Sequence, residues 1–152
     1  MTGIGADPGL DRFVTAQEGV YAGVLDELRR GRKTGHWIWF IFPQIAGLGR
    51  SVVSRYYSIA SLDEARAYLA HPVLGARLIE CTTMVAAIPD RTAIEVFGGI
   101  DAMKVRSSMT LFHRVAPDEP AFQAVLDRFY DGSADEAMDS LLATGSDRPR
   151  DT

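Results

Sequence analysis

The sequence predicts an all-α protein: a compact, single-domain bundle of about six to eight short helices. Three observations predict it. Hydroxyl residues stand three positions before carboxylates at Ser61–Glu64, Thr92–Glu95 and Ser133–Glu136, the spacing of the capping box that opens a helix. The linkers Pro89-Asp90, Gly98-Gly99, Pro117-Asp118 and Asp131-Gly132 are short and carry helix breakers, which favours neighbouring helices packed side by side. The alternation of apolar and polar residues that marks a half-buried strand is largely missing.

Asp7-Pro8 supplies the first start, and apolar residues recur at Leu10, Phe13, Val14, Tyr21, Val24, Leu25 and Leu28 before Arg29-Arg30 and Gly31, so one amphipathic helix is expected over 7–31. Residues 36–42 (HWIWFIF) suit either a buried strand or a short buried helix. The segment SVVSRYYSIA, from Ser51 on, favours a short helix over a strand. Ser61 opens the next helix. His71-Pro72 then places proline in a first turn leading into VLGARLIECTTMVAAI, which Pro89 stops. Thr92 opens a short helix, Asp101 is the expected cap of AMKVRSSMTLFHRV, and Glu119 begins a helix running to Gly132. The ends, 1–6 and 145–152, are expected to be flexible tails around a single helical domain over 7–144.

Composition narrows the function classes. A chain of 152 residues with 47% hydrophobic and 24% charged residues is long enough to bury roughly two thirds of its unfolded surface, without metal or disulfide. The net charge of −4 gives no global attraction to nucleic acid, which is the least favoured partner. The longest apolar run, 37–43, falls far short of the roughly 20 residues that cross a bilayer, and no signal peptide is visible, so a cytoplasmic protein without membrane contact is expected. Cys81 lies in a helical apolar pattern and reads as packing. No spacing of Cys and His suits a metal, and no cofactor is called for.

Chemistry concentrates in two segments. Residues 33–51 hold Lys33, His36, Trp37, Trp39, Gln44 and Arg50, and indole faces beside polar groups are what a pocket for a planar ligand needs. The alternative is that these aromatics build the core. His36 is a candidate general acid or base, with a structural hydrogen-bonding role as its alternative. The loop GLGRS at 47–51 offers glycine amides and a basic side chain to a phosphate, but it lacks the Walker spacing and reads more readily as a plain flexible turn. In the second segment, 101–112, Lys104, Ser107 and Ser108 stand at helical spacing on one face that could line a pocket, with Ser108 the other candidate for chemistry, while Arg106 and Met103 point elsewhere.

The same two segments carry a family resemblance. Asp11-Arg12-Phe13-Val14 with Ala16-Gln17, Lys33 with 36–44 (HWIWFIFPQ) and Gly47-Leu48-Gly49 begin it. Ser61, Glu64-Ala65, Tyr68-Leu69, 71–75 (HPVLG) and Arg77-Leu78 continue it, and Lys104 with 107–112 (SSMTLF) completes it. With these residues, spread over about 10–142, the chain resembles the bacterial family catalogued as domain of unknown function 1810, sometimes labelled calpastatin. The resemblance implies a compact, mainly helical domain and no established activity, cofactor or catalytic residue. Nothing in the sequence resembles a calpastatin inhibitor repeat.

Two function classes emerge. The first is a binder of a small anionic, nucleotide-like ligand, in a pocket formed by 33–51 and 101–112 with Lys33, Arg50 and Lys104 supplying charge and Trp37 or Trp39 a stacking face. The alternative is a helical interaction module without catalytic activity, monomeric or a small homo-oligomer, recognisable by an exposed apolar patch.

Overall fold

The computed structural model describes residues 8–47 and 51–135, and across these it is a mainly helical bundle. Nine helices occur among the described residues: α1 (Pro8–Gln17), α2 (Tyr21–Arg30), α3 (Ile38–Ile41), α4 (Val52–Tyr56), α5 (Leu62–Ala70), α6 (Leu74–Ala86), α7 (Ala93–Phe97), α8 (Gly99–Val115) and α9 (Pro120–Phe129). No strand is formed among them. A lone parallel bridge joins Ile45 to Ile59, closed by hydrogen bonds from Ala46 N to Ile59 O and from Ile59 N to Gln44 O, both 2.7 Å.

The central element is α8. Ser107 to Phe112 are all buried, so the middle of this helix is surrounded on every side, as its mixed polar and apolar sequence does not announce. It packs on α5, α7 and α9. Helix α6 is a conventional amphipath: Leu74, Leu78, Cys81, Thr82 and Val85 fall at helical spacing and are buried. It meets α2, α5 and α9. A chain of ring contacts runs Phe40–Tyr57–Phe13–Tyr68–Phe112–Phe122, with centroids 5.1 to 5.8 Å apart, and ties α1, α3, α5, α8 and α9 into one core. The turn from α5 to α6 is tight enough that a Cβ on Gly75 would lie 2.0 Å from the Leu69 carbonyl oxygen.

The start signals act largely as expected. Thr92 and Glu95 form the complete reciprocal box, with Oγ1 accepting from Glu95 N and the carboxylate accepting from Thr92 N. Ser61 caps α5 through Glu64 N, whereas the Glu64 carboxylate reaches past it to Ala60 N. His71 caps the approach to α6, its Nδ1 accepting from Val73 N and Leu74 N. Glu119 caps α9 through Ala121 N, ahead of proline at the first helical position. Asp90 (φ 57°), Gly98 (φ 85°), Asp131 (φ 55°) and Gly132 (φ 76°) take up the positive-φ turns of the expected linkers.

Two expectations are corrected, and one open alternative is resolved. The helix over 7–31 is two helices, broken at Glu18-Gly19-Val20 where Gly19 adopts φ 79°. The apolar period survives because both pieces face the same core. Of the two readings of 36–42, the short buried helix is the one formed: α3 spans Ile38–Ile41, with Ile38 and Ile41 buried. Asp101 does not cap α8, which starts earlier behind Gly98, and its carboxylate serves ion pairs instead. The box at Ser133–Glu136, Arg50 with most of the GLGRS loop, and both expected tails lie outside the described residues.

A polar seam crosses the interior. Gln17 is buried, donates to Phe40 O (2.7 Å) and accepts from Arg77 Nη1 (3.1 Å). The Tyr21 hydroxyl donates to Glu80 at 2.5 Å, and burial together with that bond raises its pKa. Burial pushes the Cys81 thiol up to about 12, which fits a packing role.

Candidate functional site

The site is built on the connection from α2 to α3. Gly31 ends α2 in the left-handed conformation (φ 74°), and Lys33 N then donates to Val96 O at 2.8 Å, drawing the chain against α7. Glu27 organises the turn beyond Lys33: its Oε1 accepts from Thr34 N (2.7 Å), Gly35 N (2.9 Å) and Trp37 Nε1 (2.9 Å). Burial opposes ionisation of this carboxyl, but the two backbone donors and the indole outweigh it and hold the pKa below the ordinary glutamate value.

This scaffold aims Lys33 at the start of α8. Its Nζ lies 2.7 Å from Asp101 Oδ2 and also donates to Gly35 O. The other Asp101 oxygen stands 3.8 Å from Lys104 Nζ. Lys104 in turn sits 5.0 Å from the centre of the Trp39 ring, and Lys33 5.1 Å from that of Trp37. Trp39 Nε1 is buried and has no hydrogen-bond partner.

Between these groups opens a cleft of about 380 Å³, lined by Lys33, His36, Trp39, Phe97, Gly98, Gly99, Ile100 and Asp101. Lys33 and Asp101 line it as an ion pair, and Lys104, outside the lining, adds a second ammonium group 3.8 Å from Asp101. The first-turn N–H groups of α8, which lack intrahelical acceptors, edge it with further partial positive charge. Such an arrangement can hold a small anion against a ring edge. No group of three or more His, Cys, Asp and Glu side chains among the described residues is placed for a metal.

The structure thus brings Lys33, His36, Trp39 and Lys104 together and places the other candidates elsewhere. Trp37 is 4% exposed, its ring against Phe42 and its N–H on Glu27, so it belongs to the core. Gln44 serves the Ile45–Ile59 bridge through its carbonyl. Ser107 is buried and donates to Asp135, and Ser108 is fully buried with an unpartnered hydroxyl; neither lines the cleft. Arg106 is tied to Ser133 O and faces the Tyr130 ring, so it is not a free surface charge.

Sequence reasoning misses Glu27, Asp101 and Ile100 as residues of the site. A signal for Glu27 exists, since a carboxylate in the last turn of a helix opposes the macrodipole and calls for a partner of its own. The pairing of Asp101 with Lys33 leaves no local trace.

A larger cleft, about 620 Å³, lies where α2 ends beside the α6–α7 turn. Its cations, Arg29, Arg30 and Arg91, are exposed, its floor is Leu28, Met84, Ile88 and Pro89, and it contains no ring. Asp90 and Glu95 also line it, but among the described residues no ion pair or aromatic ring organises its charges as Lys33–Asp101 and Trp39 do at the start of α8.

Fold and cleft define a compact helical domain with one polar, cation-bearing hollow at the start of its central helix. The chain belongs to the family of proteins of unknown function DUF1810, whose model matches residues 7–142. It is similar to the conserved hypothetical protein Rv1873 from Mycobacterium tuberculosis, whose crystal structure at 1.38 Å superposes with a TM-score of 0.87. The two are 50% identical over 88% of this chain and 96% of that one. No curated protein matches.

Proposed function

We propose that the chain binds a small organic anion in the cleft lined by Lys33, His36 and Trp39. The observation that carries this reading is the convergence of Lys33 and Lys104 on Asp101 beside Trp39, where one carboxylate is shared by two ammonium groups. An incoming carboxylate or phosphate supplies the second negative charge, and the start of α8 supplies donors. Nucleotides and sugar phosphates belong in the first panel, with Trp39 as the ring against which a planar group rests.

A thermal-shift screen tests this. A ligand at a hundred times its Kd adds about 2.7 kcal/mol, which for a domain of this size raises Tm by roughly 5 to 10 °C. The expected result is such a shift for anionic compounds, reduced by salt and lost in Lys104→Ala and Trp39→Leu. A flat response across the panel, with folded variants, overturns the reading.

A second reading, an interaction module, draws on Ile94, Ile100 and Met103, which are 65%, 73% and 71% exposed. Concentration-dependent sedimentation tests it: a monomer at every concentration removes the self-associating form.

A further inference from the structure

The cationic cleft has an apolar neighbour. On the other side of the first turn of α8 lies a groove of about 360 Å³, lined by Ala93, Ile94, Ala102, Met103 and the rings of Phe129 and Tyr130, with Thr92 and Arg106 at its margin. The two hollows share Gly99. A Cβ built on Gly98 or on Gly99 would meet nothing within 4 Å, so the ridge between them is an open saddle of bare backbone. Each hollow alone is near the small end of ligand pockets, about 300 to 1,000 Å³, and the pair falls well inside that range.

The polar side chains of the groove each have a partner already. The Tyr130 hydroxyl donates to Ala102 O at 2.6 Å, Arg106 Nε donates to Ser133 O with its guanidinium over the Tyr130 ring, and Thr92 Oγ1 caps α7. A nucleobase placed there would find few partners for its own donors and acceptors. Hydrocarbon has no such need, and the side chains that meet it, Ile94 and Met103, stand exposed in the free protein.

We infer that the ligand is an amphiphilic anion: its carboxylate or phosphate head sits in the cleft beside Lys33 and the first turn of α8, within the field of Lys104 behind Asp101, and its hydrocarbon body crosses the Gly98–Gly99 saddle into the apolar groove. This rests on the reading of the cleft as an anion site and names the class of anion.

The test is an NMR titration of the two tryptophan indole N–H signals with straight-chain carboxylates from butanoate to decanoate, at monomeric concentrations. The signal of Trp39 is expected to move, with affinity rising roughly fourfold per added methylene until the groove is filled. Gly99→Leu, at a position without positive φ and with open space above it, is expected to abolish the dependence on chain length while butanoate still binds. Lys104→Met is expected to weaken every chain length by a similar factor, and Gly99→Ala with an unchanged Tm controls for folding.

Binding of butanoate without any gain from longer chains overturns the amphiphile and leaves the anion site standing. Failure of every carboxylate, with phosphate also inert, removes both. Two further results overturn the amphiphile: tight octanoate binding that ignores both Lys104→Met and Gly99→Leu, and a groove occupied instead by phosphatidylglycerol vesicles or a second copy of the chain.

Discussion

Glu27 shows how one side chain shapes the approach to the cleft. Its carboxylate gathers two backbone amides and the Trp37 indole, and a Cβ on Gly35 would press on the Trp37 ring at 2.9 Å, so the turn is closely fitted around it. Glu27→Ala leaves three donors short of an acceptor, and a loss of about 2 kcal/mol in urea unfolding is expected. Because the folded carboxyl has a depressed pKa, its contribution is complete above the unfolded value near 4.3 and is lost as pH falls through the folded one. The stability gap between the native chain and Glu27→Gln is therefore expected to narrow below about pH 4. A gap independent of pH would show that the charge itself does not matter. At this scale Lys33, His36 and Trp39 are legible in the sequence because one short segment carries them. Asp101 is not, because its pairing with Lys33 exists once distant helices have met.

At the scale of elements, signals confined to one turn read well, and those that depend on where a helix must aim do not. The Thr92–Glu95 box is local chemistry, complete within four residues. The break at Gly19 is different: Leu10, Phe13, Val24 and Leu28 keep a helical period across it, while α1 packs on α3 and α2 on α6. A left-handed glycine re-aims the chain between them, and nothing in the apolar pattern records the change of direction. Two neighbouring glycines therefore respond oppositely to the same substitution. Gly19→Ala forces a side chain into φ 79° and is expected to cost about 1 kcal/mol, whereas Gly23→Ala, inside α2 with open space around it, is expected to stabilise by about 0.5 to 1 kcal/mol. Urea midpoints of the two variants moving in the same direction would contradict the two-helix arrangement.

For the molecule as a whole, the ring contacts from Phe40 through Phe122 join five helices into one core, and Cys81 lies fully buried in α6, which packs against α2, α3, α5 and α9. Burial holds its thiol protonated, with a pKa of about 12, and the chain around it excludes reagents. Reaction with an aromatic disulfide at pH 8 is expected to be slower than that of the unfolded chain by orders of magnitude, and to accelerate along the same urea curve as the loss of helix signal. Rapid labelling under native conditions would reveal local opening of α6. The fold class is legible at this scale because composition and breakers report it directly. The central position of α8 is not, since Ser107, Ser108 and Thr110 carry no apolar signal of burial and are enclosed by the helices around them.

The latch between Lys33 and the start of α8 also has a temporal meaning. Lys33 N reaches Val96 O, and its ammonium reaches Asp101, so residues far apart along the chain must meet before the cleft exists. Contacts at such separation form after local helices and turns. During synthesis, the hollow is completed after Lys104 has emerged, when α2, α3 and most of the core sequence are already available. A ligand held there would act on the finished molecule, slowing its unfolding without guiding its assembly.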